Sequence, residues 1–216
     1  MKSETRRKLI SITKKRIVGD DYSHDINHTL RVLGLSEMIA KKEKADLDVV
    51  TPAALFHDLI VYPKNDPRAV LSDEESANEA GEILMGIKTY PKNKIKFVQK
   101  AIRQCSFSKG VQSDFLEGRI LQDADRLEAT GSISIMRTFF SSGQMKRPLY
   151  DPKDPFCKKR DPVSLKSGLD LFFSRLLKVE KMMHTKTAKQ IAKRRTKILY
   201  IFLDELKTEL GESKLD

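Results

Sequence analysis

The chain holds four histidines, and three of them, His24, His28 and His57, fall within residues 24–57. The dipeptide His-Asp occurs twice, at His24-Asp25 and His57-Asp58. The second pair closes an apolar run, Ala53-Ala54-Leu55-Phe56, and is followed by Leu59. A carboxylate at a helix C-terminus opposes the helix dipole, and burying it beside Phe56 and Leu59 is costly without a counter-charge. A divalent cation is one natural counter-charge. His28 sits in a helical pattern with His24 and Arg31 on its face, at i−4 and i+3. Asp125 interrupts another internal-looking stretch, Ile120-Leu121-Gln122-Asp123-Ala124-Asp125-Arg126-Leu127. Two imidazoles and two carboxylates form a mixed nitrogen and oxygen donor set. It suits Mn²⁺, Mg²⁺, Ni²⁺ or Fe²⁺ with open positions, and Zn²⁺ less specifically. The bland alternative, residue by residue, is a set of satisfied core polar groups. Asp25 reads as a helix N-terminal carboxylate rather than a ligand, and Asp123 points elsewhere on its helix.

The elements that must position these residues read as all-α. Helical patterns cover 4–18, 25–43, 47–58, 72–86, 92–106, 114–128, 132–141, a stretch opened by Asp161-Pro162 that runs through Met183, and a last helix from Thr185 to about Leu210. Segment 25–43 is apolar nearly all round and reads as the buried central helix. Asp46 is a good N-cap, Ser72-Asp73-Glu74-Glu75 has the form of a capping box, and Pro52 is tolerable only in a first turn. Residues 59–71 carry two prolines and read as a loop. Residues 142–162, rich in proline, form the longest non-periodic stretch, and such loops are often functional. No segment alternates long enough to argue a sheet. One domain over 1–216 is expected, a bundle of about eight to nine helices with a core near 20–205 and a basic N-terminal helix at 4–18.

Composition narrows the function classes. Lys and Arg number 41 against 30 Asp and Glu, for a net charge of +11, and 39% of residues are hydrophobic. That apolar share excludes disorder, no run is long and apolar enough to span a bilayer, and the first residues lack a secretory apolar region. Two cysteines at no metal-ligand spacing, Cys105 and Cys157, fit a reducing cytoplasm. The charge is uneven: +6 over residues 1–18, −3 over 19–144, +11 over 145–200 and −3 over 201–216. Every candidate metal ligand lies in the slightly acidic middle, which suits a cation. The basic flanks can neutralise an anionic substrate, or serve as solvated surface.

His28-x₂-Arg31-Val32, then His57-Asp58, then Ala124-Asp125-Arg126-Leu127 resembles the HD superfamily of metal-dependent phosphohydrolases. The likeness extends to Ser23-His24-Asp25-x₂-His28, Tyr62-Pro63-Lys64-Asn65-Asp66, Ser72-x₃-Ser76-Ala77, Ser106-Phe107-Ser108, Asp123-Ala124-Asp125-Arg126-Leu127, Arg137-Thr138-Phe139 and Met183-x-Thr185-x₂-Ala188-x₂-Ala192-x₂-Arg195. These are similar to the small stand-alone bacterial members and span nearly the whole chain. The resemblance implies an all-α fold with one divalent metal ion on His28, His57, Asp58 and Asp125. Relatives tend to carry His where Cys105 stands and Gly-Ile-Ala-Arg where Ser134-Ile135-Met136-Arg137 stands. The carboxylate pair of the alarmone-hydrolysing branch is absent, Leu59-Ile60-Val61-Tyr62 standing there instead.

The resulting expectation is a cytoplasmic phosphohydrolase in which His57 and Asp58 help activate water and His24 is a weak candidate for the leaving-group acid. Lys64, Arg126, Arg137 and Arg195 are candidate phosphate contacts, since guanidinium matches phosphate bidentately. Alternative readings are a snorkelling Arg195 and an Arg126 paired with Asp123 or Glu128. Lys186, Lys189, Lys193 and Lys197 form one solvated stripe on the last helix, and Ala188, Ile191, Ile198, Phe202 and Leu206 its buried one. Lys158-Lys159-Arg160 reads as a solvated loop. The resemblance makes a small nucleotide the expected partner, with pyrophosphate-bond cleavage of a nucleoside triphosphate the first reading. No membrane partner is expected, and a homodimer stays open. The competing class is a nucleic-acid-binding or regulatory module with a structural or inactive metal centre.

Overall fold

A computed structural model describes residues 1–17, 25–62, 66–106 and 110–212. Among the described residues there are nine α-helices and no strand, as the helical periodicities imply. None of these helices is long and apolar enough to cross a membrane. The chain divides into two compact units, Met1–Asp125 and Arg126–Asp216.

The first unit begins with α1 (Ser3–Arg16), whose last turn carries Lys14, Lys15 and Arg16 where the helix dipole favours cations. Next come α2 (Ile26–Glu43), α3 (Leu47–Phe56), α4 (Ser72–Met85) and α5 (Ile95–Arg103); α6 (Leu116–Leu127) supplies Asp125. Segment 25–43 was expected at the centre, but the enclosed helix is α3. Every residue from Val49 to Phe56 is buried, and α3 packs on α1, α2, α4 and α5. The reason is composition: α2 has lysines at Lys41 and Lys42 to present to water, whereas the second half of α3 has no charged side chain. Glu37 of α2 joins three helices, accepting from Arg6 at 2.7 and 2.9 Å and from Thr51 Oγ1 at 3.0 Å.

Two sequence expectations in this unit need correction. Pro52 lies inside α3, past its first turn. A proline there has no N–H for the carbonyl four residues back, Asp48, and the Tyr90 hydroxyl donates to that oxygen instead at 2.6 Å. Ser72 is not a cap. The chain enters α4 from a 3₁₀ turn at Pro67–Leu71, inside the expected loop, which Asp66 caps by accepting the Arg68 amide. Asp46, by contrast, caps α3 as expected, accepting from Asp48 N at 2.8 Å.

The second unit contains α7 (Ser132–Gln144), α8 (Gly168–Ser174), a 3₁₀ segment at Leu176–Met182 and α9 (Lys186–Glu212). Its core gathers Leu169, Phe172, Leu176, Leu199 and Leu203, with Phe202 stacked on Phe172 at 5.5 Å between centroids. Asp161 does not open a helix. Ser167 does, its hydroxyl accepting from Asp170 N at 3.2 Å and donating to the Asp170 carboxylate at 2.6 Å. Asp170 is fully buried, and it also accepts from Val163 N at 2.8 Å and from both terminal nitrogens of Arg160 at 2.5 and 2.8 Å. These bonds hold residues 160–163 outside the helix, which starts later, at Gly168, and ends at Ser174. Arg160 is therefore a clasp rather than solvated surface. Thr185 caps α9 as expected, accepting from Ala188 N at 3.2 Å. The inward face of α9 runs through Ala188, Ala192, Thr196, Leu199 and Leu203, while Ile198, expected to be buried, is 41% exposed.

Candidate metal centre

Local folding rules aim each donor. Asp25 caps α2 and accepts from His28 N at 2.8 Å, which sets the helix start and places His28 in the first turn. His57 follows the last residue of α3, and its Nδ1 lies 3.0 Å from the Ala54 carbonyl. A carbonyl only accepts, so Nδ1 carries the hydrogen and Nε2 presents its lone pair in the neutral ring. Asp58 follows directly. The segment after it is fastened to α4 by Ser76, whose hydroxyl accepts from Ile60 N at 3.0 Å and donates to Ile60 O at 3.3 Å. Asp125 comes from the last turn of α6.

These side chains converge. One donor atom from each of His28, His57 and Asp125 lies within 4.8 Å of the others. His28 Nε2 is 3.7 Å from Asp58 Oδ2 and 3.7 Å from Asp125 Oδ1, and His57 Nε2 is 3.3 Å from Asp58 Oδ2. The two rings lie 5.6 Å apart between centroids. His57 Nε2 is buried and takes part in no hydrogen bond. A lone pair facing a carboxylate at such a distance is repulsive unless a proton or a cation lies between them. The residues therefore fit a divalent cation with two nitrogen and two oxygen donors. Burial opposes protonation of His57, yet Asp58 above all, then Asp125, the Ala54 carbonyl and Asp73 hold its pKa above the ordinary imidazole value. The imidazoles are 1% and 2% exposed, the carboxylates of Asp58 and Asp125 24% and 29%, so the centre opens to solvent on its carboxylate side.

Among the described residues, the structure thus brings together His28, His57, Asp58 and Asp125. His24 and Lys64 lie outside the described residues. Asp25 is a cap, as read from sequence, and Asp123 is fully buried. In the second unit Arg126 is buried and its Nη1 donates to Met182 O at 3.1 Å and to His184 Nε2 at 2.8 Å. Arg137 Nη1 lies 3.9 Å from the buried Glu128 carboxylate. Arg195 donates to Leu127 O at 2.6 Å, at the end of α6, where exposed carbonyls favour a cation. Its stem lies against Gly131 (φ +83), 3.1 Å from where a Cβ would stand.

Sequence reasoning assigned no role to Ala54, Ser76, Gln122 or His184. Gln122 is buried and bonds Gln104 O at 2.5 Å, Val111 O at 2.7 Å and Ser113 N at 3.2 Å, fixing the chain on its way into α6. Its place three residues before Asp125 on an apolar face was the available signal. Ala54 acts through its backbone, which no side-chain pattern reveals.

A family model for the HD domain matches residues 25–130, the span that holds all four donors. The Bacillus subtilis protein YpgQ is 30% identical over 214 residues, covering 97% of this chain and 96% of that protein. The chain belongs to the HD superfamily of metal-dependent hydrolases. The crystal structure of YpgQ in complex with ADP superposes with a TM-score of 0.73 at 29% identity, over 95% of each chain. An HD-superfamily hydrolase from Bacillus thuringiensis gives a TM-score of 0.73 at 27% identity, over 99% of this chain and 100% of the other. The Lin1889 protein of Listeria innocua gives 0.71 at 31% identity, over 97% and 99%. In this HD protein the family signature is thus carried by a converging two-histidine, two-carboxylate set.

Proposed function

We propose that this HD protein is a metal-dependent phosphohydrolase of nucleotides, with nucleoside triphosphates the first substrate class and a phosphoanhydride bond the one cleaved. The carrying observation is the cluster of His28, His57 and Asp125, whose donor atoms lie within 4.8 Å of one another, with Asp58 Oδ2 3.7 and 3.3 Å from the two imidazoles. The ADP bound by YpgQ supports a nucleotide as the substrate type. His28, His57, Asp58 and Asp125 would hold the cation, and the oxygen and imidazole mixture favours Mn²⁺, Mg²⁺, Ni²⁺ or Fe²⁺ over Zn²⁺.

When bound, the cation supplies Lewis acidity, acidifying water and polarising a phosphoryl oxygen. The chain's own residues do the rest. The Ala54 carbonyl locks the His57 tautomer and ring orientation, so Nε2 needs no rearrangement to act as a donor. Asp58 and Asp125 balance a dication formally, which keeps the centre from trapping phosphate product too tightly. Their partial exposure leaves the face on which a phosphate and water can approach. Ser76 holds the backbone after Asp58 and so fixes the direction of that carboxylate. We assign Lys64 to the non-bridging phosphate oxygens and His24 to protonation of the leaving group.

The test is metal analysis of the purified protein, followed by phosphate and pyrophosphate release from a nucleotide panel with Mn²⁺, Mg²⁺, Ni²⁺ and Zn²⁺. Hydrolysis that needs metal and disappears in Asp58→Ala supports the reading. A metal-replete protein inert toward every nucleotide would sink it, as would oligonucleotide binding, steeply salt-dependent and intact in His57→Ala, as its only activity.

A further inference from the structure

α9 carries a second, outward stripe that the core does not use. Gln190, Arg194, Ile198, Ile201, Glu205 and Thr208 recur at helical spacing and all are exposed, Ile198 to 41% and Ile201 to 63%. Two isoleucines in contact register on an exposed face form an apolar centre flanked by charge, an arrangement that favours a partner over bulk water. The flanking charge is ordered along the helix. From Lys186 to Lys197 every charged residue is basic, whereas from Asp204 to Glu212 four of five are acidic.

That order has a two-fold symmetry. Arg194 and Ile198 lie as far before the Leu199–Tyr200 peptide bond as Glu205 and Ile201 lie after it. If two such helices pack side by side and antiparallel, about an axis through that bond, Ile198 meets Ile201 of the partner subunit and Arg194 meets Glu205 of the partner subunit. Both contacts then occur twice, as an isologous interface requires. A parallel pairing would set Arg194 against its own copy and the basic halves against each other. Within one chain, Arg194 and Glu205 are about 16 Å apart along the helix, too far to pair with each other. We propose that α9 is a homodimerisation surface on which a second copy of this chain docks antiparallel, with Ile198 and Ile201 at its centre and Arg194–Glu205 pairs at its rim.

The pairing makes an unusual prediction about mixtures. Sedimentation velocity of the full chain should show a species of twice the chain mass. Arg194→Glu and Glu205→Arg should each sediment as monomers, because each places like charges at both rim contacts. Mixed in equal amounts, the two monomeric variants should regain the dimer mass, since the hetero-pair restores opposite charges at both contacts. The double variant should dimerise alone. The mixture also guards against misfolding, because only folded variants can complement. A wild-type chain that stays monomeric up to its solubility overturns the proposal. So does either single variant remaining dimeric, or a mixture that stays monomeric.

Discussion

The Tyr90 hydroxyl donates to the Asp48 carbonyl at 2.6 Å, the oxygen that Pro52 leaves without its helical donor. The bond repairs α3 where its own ladder is broken, and α3 leads directly into His57. Burial, then Asp48 and Asp46, push the Tyr90 phenol well above the ordinary range, so it stays a donor at every working pH. Tyr90→Phe should cost about 1–2 kcal/mol in urea unfolding. In a Pro52→Ala background the restored amide can serve Asp48 itself, and the same substitution should cost clearly less. Equal losses in the two backgrounds would show that the hydroxyl does something else.

Removing a donor at the centre should empty it. Asp125→Ala and His57→Ala are each expected to weaken Mn²⁺ binding by more than the roughly 10–100-fold typical of losing an outer supporting group. Calorimetric titration of the metal-free protein measures this. Ser76→Ala, which only loosens the backbone after Asp58, should stay within that range.

Proton competition gives the pH dependence of metal binding. His57 binds its proton more tightly than a free imidazole, held chiefly by Asp58 against the opposing effect of burial. A raised pKa means that the proton begins to displace the cation at a higher pH than usual. Apparent metal affinity should therefore fall by about tenfold per pH unit once the pH is below that value. Asp58→Asn should move the onset to lower pH.

Acid stability should follow Asp170. Its carboxyl is held far below the ordinary range, chiefly by the Arg160 guanidinium against the cost of burial, then by Ser167 and the Val163 amide. A depressed carboxylate stabilises the fold above its unfolded pKa, and that contribution is lost as pH falls toward the folded value. Melting temperature should thus drop between roughly pH 4 and pH 2. Asp170→Asn should melt lower at pH 7 and show a flatter acid limb, and a limb as steep as wild type would count against this clasp.

Some of this was legible in residue order, and some was not. His28, His57, Asp58 and Asp125 stood out because polar groups in apolar helices demand partners. Asp46, Thr185 and Asp25 were readable as caps because capping is local. Asp161 misled for the same reason: it has the form of a cap, but Asp170, nine residues on, captures Arg160 and the Val163 amide and draws that segment away. The true signal, Ser167 three residues before Asp170, had equal local merit. Ile198 misled because its spacing fits two faces of one helix, and only the packing of Leu199 and Leu203 chooses between them. Tyr90 was invisible, because nothing near it in the chain announces that a proline elsewhere lacks a donor.

The metal centre has dry imidazoles and wet carboxylates, and this asymmetry has a kinetic meaning. On an ion held by these four residues, water could replace Asp58 and Asp125 one oxygen at a time, whereas the nitrogens would have to let go into a packed interior. Ion exchange should therefore begin on the carboxylate side, with the histidines as the last anchors. An associative chelator that grips the half-released ion there should strip it faster than passive dialysis does. Residence time and equilibrium affinity would then be set by different residues of the same four.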